Sequence, residues 1–510
     1  MSMNSQGRPT AATGGGESAQ FESFSGHVGL RLAEPLIYEL GTVETTGVDF
    51  EALDDLELAV GGLERTSEIG CPGLAEPDVV RHYTRLSRRN YGIDMGVFPL
   101  GSCTMKHNPR LNEKMARLPG FGDIHPLAPK RAVQGAFQLM DELSHWLMTL
   151  TNMPAVALSP KAGAHGELCG VMAIRAALEA RGDAREIILC PESAHGTNPA
   201  TAAFCGYKVK SIPAKDNGKV DIDALKAALD DTVAAVMLTN PNTCGLFETE
   251  IREIADAIHK AGAFFYCDGA NFNAIMGKVC PGDLGVDAMH FNLHKTFSTP
   301  HGGGGPGSGP VVFSDALKAH VPVPYVVKTA DGFDLVEDID DASMGRLTAF
   351  HGQMGMYVRA LSYMLSHGGD GIQQAAEDAV LNANYVLASL SDVMTASFDG
   401  PCMHEALFDD RFLKDTGVTT LDFAKAMIDE GYHPMTMYFP LVVHGAMLIE
   451  PTESESKANM DQFIRSMRGL AGAAKAGEVE RFSGAPYHAP WGRLDETQAA
   501  RQPVLRYASE

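Results

Sequence analysis

The sequence predicts an α/β protein: a mostly parallel sheet covered by helices, followed by a smaller C-terminal α+β domain. Two observations carry this prediction. Between about residues 150 and 315, short runs that are apolar throughout, such as Thr232–Thr239 (TVAAVMLT) and Ala263–Cys267 (AFFYC), alternate with helical patterns. Strands that are continuously apolar are buried on both faces, as parallel strands joined by crossover helices are. The polar residues of the same region gather just after those strands, where ligands bind in such sheets. With 510 residues, the chain has room for two or three domains.

The elements follow in order. Residues 1–20 (MSMNSQGRPTAATGGGESAQ) are nearly devoid of apolar side chains and are expected to form a disordered tail. Residues 21–120 form an N-terminal extension broken by Pro and Gly. It contains one helical stretch, Pro77–Asn90, in which Arg81, Arg85 and Arg88 share a face beside Arg89. That face suits an acidic ligand, or is simply a solvated helix surface. The next segment, Pro99–Pro109 (PLGSCTMKHNP), crowds Ser102, Cys103, Thr104, Lys106 and His107 into one polar loop, either functional or merely connecting. Residues 121–325 form the large domain. Here Ala155–Leu158, Glu186–Cys190, Thr232–Thr239, Ala263–Cys267, Asp287–Leu293 and Val311–Phe313 read as strands. Gly166–Leu178, Asp221–Leu229 (capped by its aspartate) and Glu250–Ala261 read as helices. The smaller domain, 326–510, carries predicted helices at Arg346–Ser366, Ile372–Ser389, Leu421–Glu430 and Ser456–Leu470.

Composition excludes several classes of function. A formal net charge of −23 argues against nucleic acid and against an anionic membrane surface as partners. No apolar run approaches the ~18 residues of a membrane span, and the N-terminus lacks a secretory pattern, so a soluble, cytoplasmic protein is expected. The nine cysteines are scattered without a CxxC pair. They suggest neither a zinc cage nor a disulfide framework, and no metal is expected.

Four strand ends carry unusual polar residues. In Ser159–Glu167 (SPKAGAHGE), Gly163, Ala164 and His165 open a helix whose exposed N–H groups suit a phosphate, although small residues there also make a plain turn. In Pro191–Ala200 (PESAHGTNPA), His195 between Ala194 and Gly196 can present its ring to a planar ligand, or serve structure alone. In Cys267–Ala274 (CDGANFNA), Asp268 ends a buried strand. A carboxylate there is costly unless it meets a cation such as a pyridinium nitrogen; the alternative is a helix cap. Asn271 lies close by. Finally, Phe291–Pro310 (FNLHKTFSTPHGGGGPGSGP) sets Lys295 between His294 and His301, ahead of four glycines. This is a Schiff-base lysine or an ordinary surface charge before a loop. A phosphate loop, ring histidine, acid and lysine in that order are what a pyridoxal 5'-phosphate (PLP) enzyme of the aspartate-aminotransferase fold requires. The glycine run lacks both the Lys-Ser/Thr ending of a P-loop and the dinucleotide pattern.

The strings SAHGTNPA, DGANFNA, LHKTF and PHGGGGPG resemble the C-terminal half of glycine dehydrogenase (decarboxylating), the P-protein of the glycine cleavage system. PLGSCTMK, HPMTMYFPLVVHGAMLIEPTESES and GRLDE resemble the same family, and the resemblance covers about residues 25–505. It implies a PLP-dependent, fold-type-I enzyme in which Lys295 holds the cofactor, Asp268 faces the pyridine nitrogen and His195 stacks on the ring. Gly163, Ala164 and His165 would form the phosphate cup, with Thr197, Asn271 and His294 nearby. Lys161 departs from the asparagine common in the family, so it receives no ligand role. The implied reaction is decarboxylation of glycine, with release of CO2 and transfer of the aminomethyl group to the lipoyl-lysine arm of H-protein. The family occurs as one long chain or as two subunits. One lysine-bearing half resembles the catalytic subunit 2, which implies a subunit 1 partner in an α2β2 heterotetramer. Another fold-type-I enzyme is the alternative. An aminotransferase would draw a substrate arginine from Arg346, Arg359, Arg411, Arg465, Arg468, Arg481 and Arg493; a desulfurase would use Cys402.

Overall fold

The computed structural model describes residues 23–24, 34–42, 45, 47, 51, 61–67, 70–302, 307–340, 342–489 and 491–506. The expected tail and most of the glycine run lie outside the described residues.

The central sheet has seven strands: β1 (Ala155–Ala157), β2 (Ile187–Pro191), β3 (Lys208–Ile212), β4 (Val233–Thr239), β5 (Phe264–Gly269), β6 (Ala288–Phe291) and β7 (Val311–Phe313). Their order is β1-β7-β6-β5-β4-β2-β3, and only β7 runs antiparallel to its neighbours. Every residue of β4 and β5 is buried, as their unbroken apolar sequences require. The register sets Asp268 beside Thr239 on one side and beside His290 on the other. Three polar side chains thereby reach the same edge.

Helix Gly163–Ala180 packs close against β5. A Cβ on Gly170 would run into the Tyr266 ring, so glycine permits the approach. The Asp221 side chain caps helix Ile222–Ala228 by accepting from the N–H groups of Asp223 and Ala224. Sequence patterning misses β3 because its first four residues are exposed and two are lysines, which suits an edge strand that must not recruit another chain.

After the hairpin of β8 (Tyr325–Thr329) and β9 (Gly332–Val336), the two helices expected at Arg346–Ser366 and Ile372–Ser389 form one run, Met354–Leu390. It is broken only by Gly368, at φ +64°. The run starts later than expected because Gly352, at φ +115°, cannot be helical. A four-stranded antiparallel sheet follows, with β10 (Thr395–Ala396), β11 (Ala406–Asp409), β12 (Thr436–Met437) and β13 (Met447–Ile449) in the order β10-β11-β13-β12. Leu100 bridges to Ile449, so the 99–104 loop borders this sheet. All nine cysteines are free. Among the described residues, no helix is long and apolar enough to cross a membrane.

The arginine face is partly spent inside the molecule. In helix Glu76–Ser87, the Arg85 guanidinium and His82 both bind the buried Glu34, while Arg81 and Arg88 stay exposed.

The buried centre and the edge of the sheet predict opposite responses to truncation. Phe265 in β5 is fully buried; Phe265→Ala should lower the urea-unfolding free energy by about 3–5 kcal/mol. Lys208→Ala on exposed β3 should stay within about 0.5 kcal/mol of the parent.

Candidate active site

Where the carboxyl ends of β4, β5 and β6 meet the start of helix Gly163–Ala180, the fold leaves a cavity of about 170 Å³. Gly163, Ala164, His195, Thr197, Asp268, Asn271, His294 and Lys295 all line it. His165 does not. Its ring turns back along the loop, and Nδ1 accepts the Lys161 N–H at 3.2 Å.

Asp268 is the electrostatic centre. It is 3% exposed and surrounded by donors. The Ala270 N–H reaches Oδ1 at 2.9 Å, the Asn198 amide reaches Oδ2 at 3.1 Å, and His290 Nε2 lies 3.2 Å from Oδ1. Burial alone would raise this carboxyl, but His290, Ala270, Asn198 and Lys295 together hold it below its ordinary value. His290 is buried too, and burial holds it neutral. Its tautomer follows from Tyr266, whose Oη lies 2.7 Å from Nδ1 and whose phenol stays protonated because of burial. Tyr266 therefore donates to Nδ1, which leaves the Nε2 proton for Asp268.

Glu167 stands beside this carboxylate, 3% exposed, with Oε2 unpartnered. Burial and then the Asp268 charge push it up to about 8, so it is neutral where Asp268 is ionised. Sequence reading passed over Glu167 and His290. An acid in a first helical turn looks like a dipole partner, and a histidine inside an apolar strand looks structural.

Lys295 follows β6 on the short helix Leu293–Thr296, and its Nζ donates to the Ser102 carbonyl at 2.8 Å. The neighbouring His294 is pushed down to about 3 by burial and then by Lys295, so its ring is neutral. His195 stands exposed at the mouth. Its Nδ1 accepts the Thr197 N–H at 3.2 Å, and its ring meets Phe439 edge-on at 5.7 Å. Although its outer face is open, the protein around it lowers its pKa, with Lys295 adding to the effect.

A planar group with a cationic ring nitrogen and an anionic end fits these residues. Buried atoms of Thr239, Asn271, Asn292, Glu167 and His294 around the one cavity have no hydrogen-bond partner, a costly arrangement unless a ligand satisfies them. An 18-residue helix begins at Gly163, so the N–H groups of its first turn lack intrahelical acceptors and point toward an anion. A Cβ on Gly163 would strike the Asn292 side chain. PLP fits this lining: the first-turn N–H groups suit its phosphate, and Asp268 suits its protonated ring nitrogen.

Fold and site define a class: the fold-type-I transferases, here of the aminotransferase class-V kind. The class-V aminotransferase family model matches residues 169–322, and the model described as glycine dehydrogenase, C-terminal domain, matches 375–485. Among solved structures, a glycine decarboxylase (P-protein) of the glycine cleavage system in inhibitor-bound form shares the fold. Its TM-score is 0.69 at 20% identity, covering 81% of this chain and 93% of that one. A cysteine desulfurase from Thermococcus onnurineus NA1 shares the fold at TM-score 0.59 and 14% identity, covering 74% and 96%. The sequence relatives are more specific. A probable glycine dehydrogenase (decarboxylating) subunit 2 of Caulobacter vibrioides is 65% identical, covering 99% of this chain and 98% of its own length. Its counterpart in Kosmotoga olearia is 51% identical, covering 86% and 91%. The chain belongs to the glycine dehydrogenase (decarboxylating) subunit 2 family.

The raised Glu167 carboxyl makes stability depend on pH. The folded chain keeps a proton there that the unfolded chain releases, so rising pH from about 5 to about 8 favours unfolding. Glu167→Gln removes this dependence. In thermal unfolding of the cofactor-free protein, its advantage over the parent should grow across that window by on the order of a few kcal/mol.

Proposed function

We propose that this chain is the PLP-bearing subunit of a glycine-decarboxylating enzyme. The observation that carries the reading is the meeting of Lys295 and Asp268 in one cavity at the strand ends, in a chain of this family. When bound, PLP supplies the electron sink that accepts the electron pair of the bond between the glycine Cα and its carboxylate. The chain's own residues bind and orient. Lys295 Nζ is the amine that anchors the cofactor, and the Ser102 carbonyl aims it. Asp268, ionised and tightly hydrogen-bonded, would hold a proton on the ring nitrogen. His195, steadied by Thr197 and Phe439, would cover the ring. The Gly163 and Ala164 N–H groups receive the phosphate, in a domain spanning about residues 121–325. The domain of residues 326–510 contributes Phe439 at the cavity mouth.

By the same reading, a subunit 1 completes an α2β2 assembly, and the lipoyl-lysine arm of an H-protein takes the aminomethyl group. Nine free thiols suit a cytoplasmic location.

The alternatives fit less well. Among the described residues, none of the seven arginines considered for a substrate carboxylate lines the cavity. Arg359 binds Glu113, Arg411 binds Asp409, Arg468 binds Asp392 and Arg493 binds Asp422. Cys402 is buried, and burial pushes its thiol up to about 12, which does not suit a mobile desulfurase nucleophile.

Exchange of labelled bicarbonate into the glycine carboxyl tests the proposal. It should require this chain, subunit 1 and lipoylated H-protein together. Lys295→Ala should reduce it to background, and Asp268→Asn should lower kcat by ~100-fold or more. Full exchange by this chain without subunit 1 would contradict the two-subunit reading.

A further inference from the structure

The crowded loop after Pro99 is held at alternate residues by three acids of the C-terminal third. The Ser102 N–H donates to Glu405 Oε1. Thr104 gives its N–H to Glu450 Oε2 at 2.9 Å and its hydroxyl to Glu450 Oε1 at 2.6 Å. Lys106 Nζ, on a residue only 2% exposed, reaches Glu453 at 2.6 Å and the Thr296 carbonyl at 2.9 Å. Ser102 and Thr104 both adopt left-handed backbone, at φ +63° and +48°, which residues with a Cβ hold only where surrounding contacts insist on it. The result of this turn is that the Ser102 carbonyl faces Lys295 Nζ.

We propose that Glu405 and Glu450 are positioning residues for the reaction: they hold Ser102 and Thr104 in the left-handed turn that aims the Ser102 carbonyl at Lys295. The functional part of this inference rests on Lys295 being the cofactor lysine.

The chemistry of the two acids is unusual. Glu405, Glu450 and His404 are each 0% exposed, and one oxygen of each carboxyl and one His404 ring nitrogen lie within 4.8 Å of one another. Among the described residues, the only basic group within 4 Å of either carboxyl is His404, at 3.9 and 3.8 Å. Burial pushes that imidazole down to about 3, so it brings no charge. Two carboxylates at this depth do not both ionise. Burial, with Glu450 beside it, raises Glu405 well above the carboxylate range, so Glu405 keeps the proton. Its Oε1 accepts from Ser102, and Oε2 has no hydrogen-bond partner among the described residues. A glutamine at 405 keeps an uncharged side chain with an oxygen to accept from Ser102. Alanine does not.

Hydrogen exchange of residues 100–106 in the cofactor-free chain, paired with kcat and KM of the reconstituted complex, tests this. Glu405→Ala and Glu450→Ala, folded by circular dichroism, should exchange the Ser102 and Thr104 amides at least ~10-fold faster. In the complex, kcat should fall more than KM for glycine. Glu405→Gln should restore both slow exchange and kcat to within about threefold of the parent. Unchanged loop exchange in the folded alanine variants would overturn the proposal, as would Glu405→Gln losing kcat while the loop stays protected. If the alanine variants do not fold, Thr104→Val decides: faster exchange at 102–104 supports the clamp, and unchanged exchange refutes it. The exchange arm needs no cofactor, so it stands or falls separately from the assignment of Lys295.

Discussion

One buried anion governs the architecture around the cavity. Asp268 sits at the end of a strand with no exposed side, where an unpaired carboxylate would take up a proton or unfold its surroundings. It stays ionised because donors surround it: the His290 imidazole from the neighbouring strand β6, the Ala270 N–H from its own turn and the Asn198 amide from the helix Thr197–Phe204 that follows β2. Tyr266, two residues back on the same strand, fixes the His290 tautomer from behind. Glu167 then has to remain neutral, because a second negative charge at that depth is not supported. A site with one fixed charge and several unpartnered polar atoms is built to receive a cationic, hydrogen-bonding ring rather than to stand alone.

The C-terminal third closes the site from the other side. Phe439 backs His195, and the buried acids of the β11 and β13 region reach the loop after Pro99. That loop borders β13 through the Leu100–Ile449 bridge and touches Lys295 through Ser102. Segments more than 190 residues apart in the chain therefore meet at one amine.

Much of this was legible in the sequence, for identifiable reasons. Continuous apolar runs announced β4 and β5, and the residues singled out just past the strand ends, Asp268, Lys295, His195, Gly163 and Ala164, come together around one cavity. What escaped was whatever looked ordinary locally. β3 alternates lysine with small residues and reads as loop, although an edge strand needs that pattern. His290 hides inside β6, Glu167 inside a helix, Glu405 just before β11 and Glu450 just after β13; each acquires meaning only from a neighbour distant in sequence. His165 was placed with the phosphate loop by adjacency, yet its ring caps Lys161 instead. The arginine helix offered a face for an acidic ligand, but Arg85 on it is committed to Glu34.

The proposed chemistry depends most on Lys295 being the residue that carries PLP. Borohydride reduction of the PLP-loaded protein, followed by peptide mass mapping, locates the attachment directly. A single pyridoxyl modification on the peptide containing Lys295, retained in Asp268→Asn and absent from Lys295→Ala, is the predicted result. Modification of Lys106 or Lys161 instead, or a Lys295→Ala protein labelled as fully as the parent, would contradict it.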